Sequence, residues 1–238
     1  YEHFMMKEIH EQPRAVKDTL NSVLKDGKID LTDIGLAEED IRRTSQIYIV
    51  ACGSAYHVGM VAQYVIEDLV KIPVRVELAS EFRYRKPILD PNGLVIIISQ
   101  SGETADSLAA LRETKAQGIR TLGIVNVVGS SIAREADKVF YTLAGPEISV
   151  ATTKAYSTQL MASYILAIEF AKVKNTITEE QYENYIAELH QSGRQPEDER
   201  DQLRSFRGIC SGRTQARNHF SDRGWNACDR CADTAGII

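Results

Sequence analysis

The sequence predicts an α/β protein: a three-layer α-β-α arrangement on a five-stranded parallel sheet in flavodoxin-like order. Three observations lead there. Residues 46–51 (QIYIVA) and 94–99 (LVIIIS) are short apolar runs without alternation, as expected of strands buried on both faces. Strand-like runs alternate along the chain with segments of helical period, the pattern of a parallel sheet covered on both sides. At the junctions from strand to helix the residues turn abruptly polar and rich in hydroxyls.

In chain order, residues 1–25 place Phe4, Ile9, Val16, Leu20 and Val23 at helical spacing, with Pro13 expected to break or restart the helix. Residues 27–36 read as a polar connector. Residues 38–43 form a short helix whose acids fall in the first turn, where the helix dipole favours them. The first strand, 46–51, runs into CGSAYH (52–57) and a helix to Leu69. Residues 74–78 alternate as a second strand, and 79–86 read as a charged loop or short helix. The central strand, 94–99, passes through SQSGET into a helix over 105–117, with Gly118 as its stop. A fourth strand over 121–126, a short helix over 130–136 and a fifth strand over 138–143 follow. SVATTK (149–154) opens a long helix to about residue 174. Thr178 and Gln181 form a capping-box pattern for a last helix to about residue 190.

The central junction is the chemical focus. The first N–H groups of a helix have no partner within the helix, and the dipole favours negative charge there. Ser99, Ser101 and Thr104 add hydroxyls, and no Lys or Arg stands in the loop. Plain capping by Ser101 or Thr104 is the competing explanation. The pattern recurs at Gly53 and Ser54 and again at residues 149–154. In a flavodoxin-like order the first and third strands are neighbours, so Ser54 and the 99–104 loop converge at the topological switch point, where such sheets bind ligands. A small phosphorylated ligand is expected, held by neutral donors.

Composition narrows the class. The chain has 238 residues and a formal charge of −5, which gives no reason to expect nucleic acid or a membrane as partner. No apolar run reaches the length of a membrane span. Four cysteines in a chain this long make no disulfide framework, so a reducing, cytoplasmic compartment is expected. The chain begins at Tyr1, as a piece of a longer protein would.

SQSGET, ACGSAYH (51–57), ASEFRYRKP (79–87) and SVATTKAYSTQL (149–160), with the opening YEHFMMKEIHEQP (1–13), resemble a sugar isomerase (SIS) domain, and within that family the first SIS domain of the glutamine–fructose-6-phosphate aminotransferases. The resemblance covers residues 1 to about 190. It implies fructose 6-phosphate or glucosamine 6-phosphate as ligand, amino-sugar synthesis as the parent activity, no cofactor or metal, and a homodimer. The family's phosphate contacts map onto Ser99, Gln100, Ser101 and Thr104. Its sugar contacts map onto Ser54, Val150 and Thr152, with Ala55 where some members carry Ser. Gly53, Glu103 and Lys154 are further candidates. The family's glutaminase domain and its second SIS domain, with the glutamate, histidine and lysine of the chemistry, have no matching motif here. No catalytic residue is therefore assigned, and this chain alone is expected to bind sugar phosphate without making glucosamine 6-phosphate.

Residues 1–45 are expected as a helical entry segment, 46–191 as the phosphosugar-binding domain and 192–238 as an atypical tail. The tail holds eight Arg and no Lys, three of the four cysteines and no periodicity. Its single C-x-x-C is a weak zinc signal, and its composition suits an out-of-frame end. Elsewhere, a lone His57 reads as packing or capping, since no partner is visible in the sequence. Cys52 reads as a packed strand end, and Arg83, Arg85 and Lys86 as a solvated charged face. Two other functions fit the same pattern: a stand-alone sugar-phosphate sensor, which would need a DNA-binding segment not seen in residues 1–45, and a single-domain isomerase or deglycase, which would need its own base.

Overall fold

The computed structural model describes residues 1–192; the expectations placed on residues 193–238 lie outside them. Helix α1 (Phe4–Asn21) leads to a two-stranded antiparallel hairpin, β1 (Leu24–Lys25) and β2 (Lys28–Ile29), then a 3₁₀ turn at Thr32–Ile34 and α2 (Glu38–Arg43). Next come β3 (Ile47–Ala51), α3 (Ser54–Val70), β4 (Val74–Leu78), α4 (Ala79–Arg85), β5 (Leu94–Ser99) and α5 (Ala105–Ala116). The chain continues through β6 (Arg120–Val125), α6 (Ser131–Glu135), β7 (Lys138–Tyr141), α7 (Lys154–Val173) and α8 (Glu179–Ser192).

The five long strands pair in parallel in the order β4-β3-β5-β6-β7, the expected flavodoxin-like order. Every residue of β3 and β5 is buried. Because side chains alternate across a strand, Ile47, Ile49, Leu94, Ile96 and Ile98 face a core shared with α1, α3, α7 and α8. Tyr48, Val50, Val95 and Ile97 face a second core with Phe82 of α4, Leu111 of α5 and Ile132 of α6. Burial on both sides is why these strands show no alternation in sequence. Helix α7 is buried over most of its surface, with even Thr158, Gln159 and Ser163 enclosed. It is a central pillar between α1, α3 and α8. Its polar members turn inward on the backbone: Thr158 Oγ1 donates to the Ala155 carbonyl and Ser163 Oγ to that of Gln159.

Two expectations are corrected. Pro13 lies inside α1 without breaking it. Proline removes the donor that would have served the Ile9 carbonyl, and the Gln12 side-chain amide donates to that carbonyl instead, at 3.4 Å. A hairpin over residues 24–29 takes the end of the stretch read as helical, where α1 stops at Asn21, and the start of the stretch read as a connector. Asp26 and Gly27 both take positive φ, 51° and 75°, as a two-residue turn requires. The capping box forms as expected, with the Thr178 N–H donating to Gln181 Oε1 and the Gln181 N–H to Thr178 Oγ1.

Candidate functional site

The register of β3 and β5 pairs Ala51 with Ile98, so both strands end at the same height. The chain after β3 passes Cys52 and Gly53, at φ +57°, into α3. The chain after β5 passes Ser99–Thr104 into α5. Between them lies a cavity of about 260 Å³. Ser54 and Ala55 line it from the first junction, Ser99, Gln100, Ser101 and Thr104 from the second, and Val150 and Thr152 from the approach to α7. Two hydroxyl-bearing junctions and one loop, separated by up to a hundred residues of chain, thus open on one space. Its size suits a single small molecule.

The central loop is organised by its own hydroxyls. Ser99 Oγ accepts the Gly102 N–H at 3.1 Å, Ser101 Oγ accepts the Glu103 N–H at 3.2 Å, and Ser99 Oγ lies 3.1 Å from Thr104 Oγ1. A hydroxyl that accepts from the backbone keeps its own proton to donate. Thr104 makes no side-chain cap to α5. The loop is pinned from behind: the Asn126 N–H donates to the Gln100 carbonyl and the Ile132 N–H to the Gly102 carbonyl. Gly102 has φ +66°, and a Cβ there would stand 2.0 Å from Ser130 Oγ. Only glycine fits at that point.

The third junction departs from the expectation. The N-terminus of α7 is not open to a ligand's anion, because a carboxylate of the chain already occupies it. Glu147 Oε1 accepts the N–H groups of Thr153 and Ala155 at 2.9 and 3.1 Å and the Thr153 hydroxyl at 3.2 Å, while Oε2 accepts the Thr152 hydroxyl at 2.9 Å. Among the described residues Glu147 is the only charged one lining the cavity, and no Lys or Arg lines it. The cavity is therefore divided: neutral donors around Ser99–Thr104 on one side, an acceptor-rich wall at Glu147 on the other.

The further candidates sit elsewhere. Gly53 sets the turn but is not a lining residue. Glu103 turns away from the cavity, its Oε1 accepting the Ser131 N–H at 2.7 Å at the start of α6. The donated hydrogen bonds from Ser131, aided by the Arg134 charge, hold its carboxyl below the usual range. Lys154 is buried, and its Nζ meets an acid, Glu11 Oε2, at 2.6 Å. Arg83 pairs with Asp106 at 2.7 Å, and Arg85 pairs with Glu77. Sequence reading missed Cys52, Ile98, Glu147, Ser149 and Gln159 as lining residues. Glu147 and Ser149 flank the 150–152 candidates in the chain, so proximity was their available signal. Gln159 lies inside α7, which is buried nearly all round, so no one-sided pattern in sequence singles out the face toward the cavity. Among the described residues no cluster of His, Cys, Asp or Glu is placed to hold a metal ion, and no helix is long and apolar enough to cross a membrane.

The fold and cavity define a doubly wound α/β protein with a small-ligand pocket at the carboxyl edge of its sheet. Residues 40–169 match the SIS domain, and the chain belongs to that family. It is similar to the glutamine–fructose-6-phosphate aminotransferase (isomerising) of Clostridium tetani, 57% identical over 190 residues, which is 79% of this chain and 31% of that protein. The enzyme of the same name from Mycobacterium tuberculosis is 49% identical over 189 residues, 79% of this chain and 30% of the relative. The match thus spans about a third of these relatives' length. Among solved structures, the C-terminal domain of glucosamine-fructose-6-phosphate aminotransferase from Francisella tularensis superposes with a TM-score of 0.78 at 47% identity, covering 81% of this chain and 54% of that one.

Proposed function

We propose that this chain is the sugar-phosphate-binding isomerase segment of a glutamine–fructose-6-phosphate aminotransferase. The carrying observation is the convergence of Ser54, Ser99, Gln100, Ser101, Thr104 and Thr152 on one cavity without a cation in its wall among the described residues. The phosphate of fructose 6-phosphate or glucosamine 6-phosphate sits against the hydroxyls of Ser99, Ser101 and Thr104, the Gln100 amide and the first N–H groups of α5. The dipole of that twelve-residue helix supports the charge. The sugar extends toward Ser54, Ala55, Val150 and Thr152, where the acceptor-rich wall suits hydroxyl and amino groups.

Turnover needs a base free to move a proton between C1 and C2. Glu147 is engaged as acceptor to four donors, and the cavity's other titratable lining group is Cys52. The chain alone therefore binds and orients without completing amination. A homodimer in the cytoplasm is the expected state.

Titration calorimetry with fructose 6-phosphate, glucosamine 6-phosphate and free fructose tests the reading. Both phosphates should bind, and fructose should not. Equal affinity for fructose and its phosphate removes the phosphate site from the account. Glucosamine 6-phosphate formed by this chain from fructose 6-phosphate and ammonia contradicts the assignment of binding alone.

A further inference from the structure

We propose that Glu8, on α1 and outside the cavity, is a positioning residue that sets the ligand-facing backbone of residues 147–152. Its functional consequence rests on the sugar-phosphate reading above, whereas the contact itself is geometric. Between Tyr141 and Lys154 the chain has no helix or strand, yet this stretch supplies Glu147, Ser149, Val150 and Thr152 to the cavity wall. An irregular segment holds a shape only if something outside it satisfies its backbone donors. Glu147 does so at the end nearest α7. At the other end Glu8 Oε1 accepts the N–H groups of Ile148 at 2.6 Å and Ser149 at 3.2 Å. These are the two donors immediately before Val150.

Glu8 is 2% exposed, and it is one of a row on α1. Glu11, three residues on, receives Lys154 Nζ at 2.6 Å, and Gln12, four residues on, accepts from Ser157 Oγ at 2.7 Å. One face of α1 is thereby fastened to the cavity loop and to the first turns of α7. Burial works to raise the Glu8 carboxyl pKa, but the neighbouring Ser149 hydroxyl dipole, the N–H groups of Ile148 and Ser149 and the charge of Lys154 outweigh it. As a stabiliser alone Glu8 is a poor choice of residue. Its Oε2 is buried without a hydrogen-bond partner among the described residues, and so is the Ser149 hydroxyl. A buried carboxylate satisfied on one side costs more than an apolar side chain of similar size. What the carboxylate supplies, and an apolar group would not, is a paired acceptor that fixes where residues 148–150 lie. A shift of α1 along α7 would move the cavity wall with it.

The test compares the 238-residue chain with Glu8→Ala, Glu8→Asp and Glu8→Gln. Fructose 6-phosphate and inorganic phosphate are the ligands, and amide hydrogen exchange at Ile148 and Ser149 is followed without ligand. Removing the acceptor in Glu8→Ala should weaken fructose 6-phosphate about tenfold, the loss of one to two charge-assisted hydrogen bonds felt through the loop. Inorganic phosphate, which touches the Ser99–Thr104 side alone, should bind as before, and exchange at both amides should rise. Glu8→Asp, one methylene short of the donors, should show the same split if Glu8→Ala does not fold. Glu8→Gln keeps a carbonyl acceptor without the charge and should recover most of the fructose 6-phosphate affinity and amide protection lost in Glu8→Ala; recovery of neither overturns the proposal. Equal weakening of both ligands marks general loosening and overturns the proposal, as does wild-type exchange in Glu8→Ala. If the wild-type chain binds no fructose 6-phosphate, the function reading fails by itself and exchange alone decides the role of Glu8.

Discussion

Gly102→Ala is the sharpest test of how the central loop is built. Gly102 has φ +66°, and a Cβ added there would meet Ser130 Oγ at 2.0 Å and Ser130 Cβ at 2.5 Å. The hydroxyl can rotate away, since Ser130 Oγ is buried without a partner. The Cβ contact cannot be relieved by any rotation of Ser130. Nor can the two segments simply part, because the Ile132 N–H donates to the Gly102 carbonyl at 3.0 Å. A left-handed conformation for a residue with a Cβ costs about 1–2 kcal/mol, and overpacking adds about 1–3 kcal/mol. The sum, roughly 2–5 kcal/mol, is a large share of a domain stability of about 5–15 kcal/mol. Urea denaturation of Gly102→Ala, Ser130→Gly and the double variant separates the two contributions. Ser130→Gly removes the obstructing Cβ, so the cycle should show a favourable coupling of about 1–3 kcal/mol, while the backbone strain remains in the double variant. A Gly102→Ala protein within about 0.5 kcal/mol of wild type, the range of a neutral surface change, would refute the reasoning. So would a double variant no more stable than the sum of the single changes allows.

Thr104→Val removes a hydroxyl that caps nothing on α5 but meets Ser99 Oγ at 3.1 Å, so stability should fall by only about 0.5–1.5 kcal/mol while fructose 6-phosphate binding weakens about tenfold by calorimetry. Glu147→Gln withdraws a negative charge from the start of α7 and from the cavity wall. It should lower stability by about 0.3–1 kcal/mol in chemical denaturation and tighten inorganic phosphate; unchanged phosphate affinity would mean the charge is not felt in the cavity. Burial raises the pKa of Glu169 above its usual 4.5, against the opposing charge of Lys172 and the hydrogen bond from Tyr182. Its contribution to stability is thus fully present below pH 4.5 and is lost as the pH rises through the raised folded value. Glu169→Gln should melt higher than wild type at pH 8, with the gain shrinking toward pH 4; a gain independent of pH would exclude the carboxylate as its source.

The strands were legible from two traces, unbroken apolar runs such as 46–51 and 94–99 where the sheet is covered on both faces and alternation at the edge over 74–78; with 121–126 and 138–143 they became five parallel strands displaced by at most two residues at an end. The switch point followed from strand order, and with it the meeting of Ser54 with the 99–104 loop. What escaped were structures made by pairs of residues whose relation is not periodic. Pro13 looks like a breaker until the Gln12 amide is seen serving Ile9. Asp26-Gly27 carries a turn signal, but strands of two residues are too short to alternate. Glu147 and Glu8 act on the backbone of a loop without secondary structure, and nothing in sequence marks an acid 140 residues from the donor it serves. For the same reason the contact of Glu103, a further candidate in sequence, with the start of α6 was not visible there.

The most direct measurement of the central claim follows backbone amide resonances of the isotopically labelled chain during a fructose 6-phosphate titration. Saturable shifts are expected at Ser101, Gly102, Ala105 and Asp106, with smaller ones at Ser54 and Thr152, and both groups should stay unmoved when free fructose replaces the phosphoester. Shifts centred on any other surface, with the Ser99–Thr104 amides unmoved at saturation, would contradict the claim.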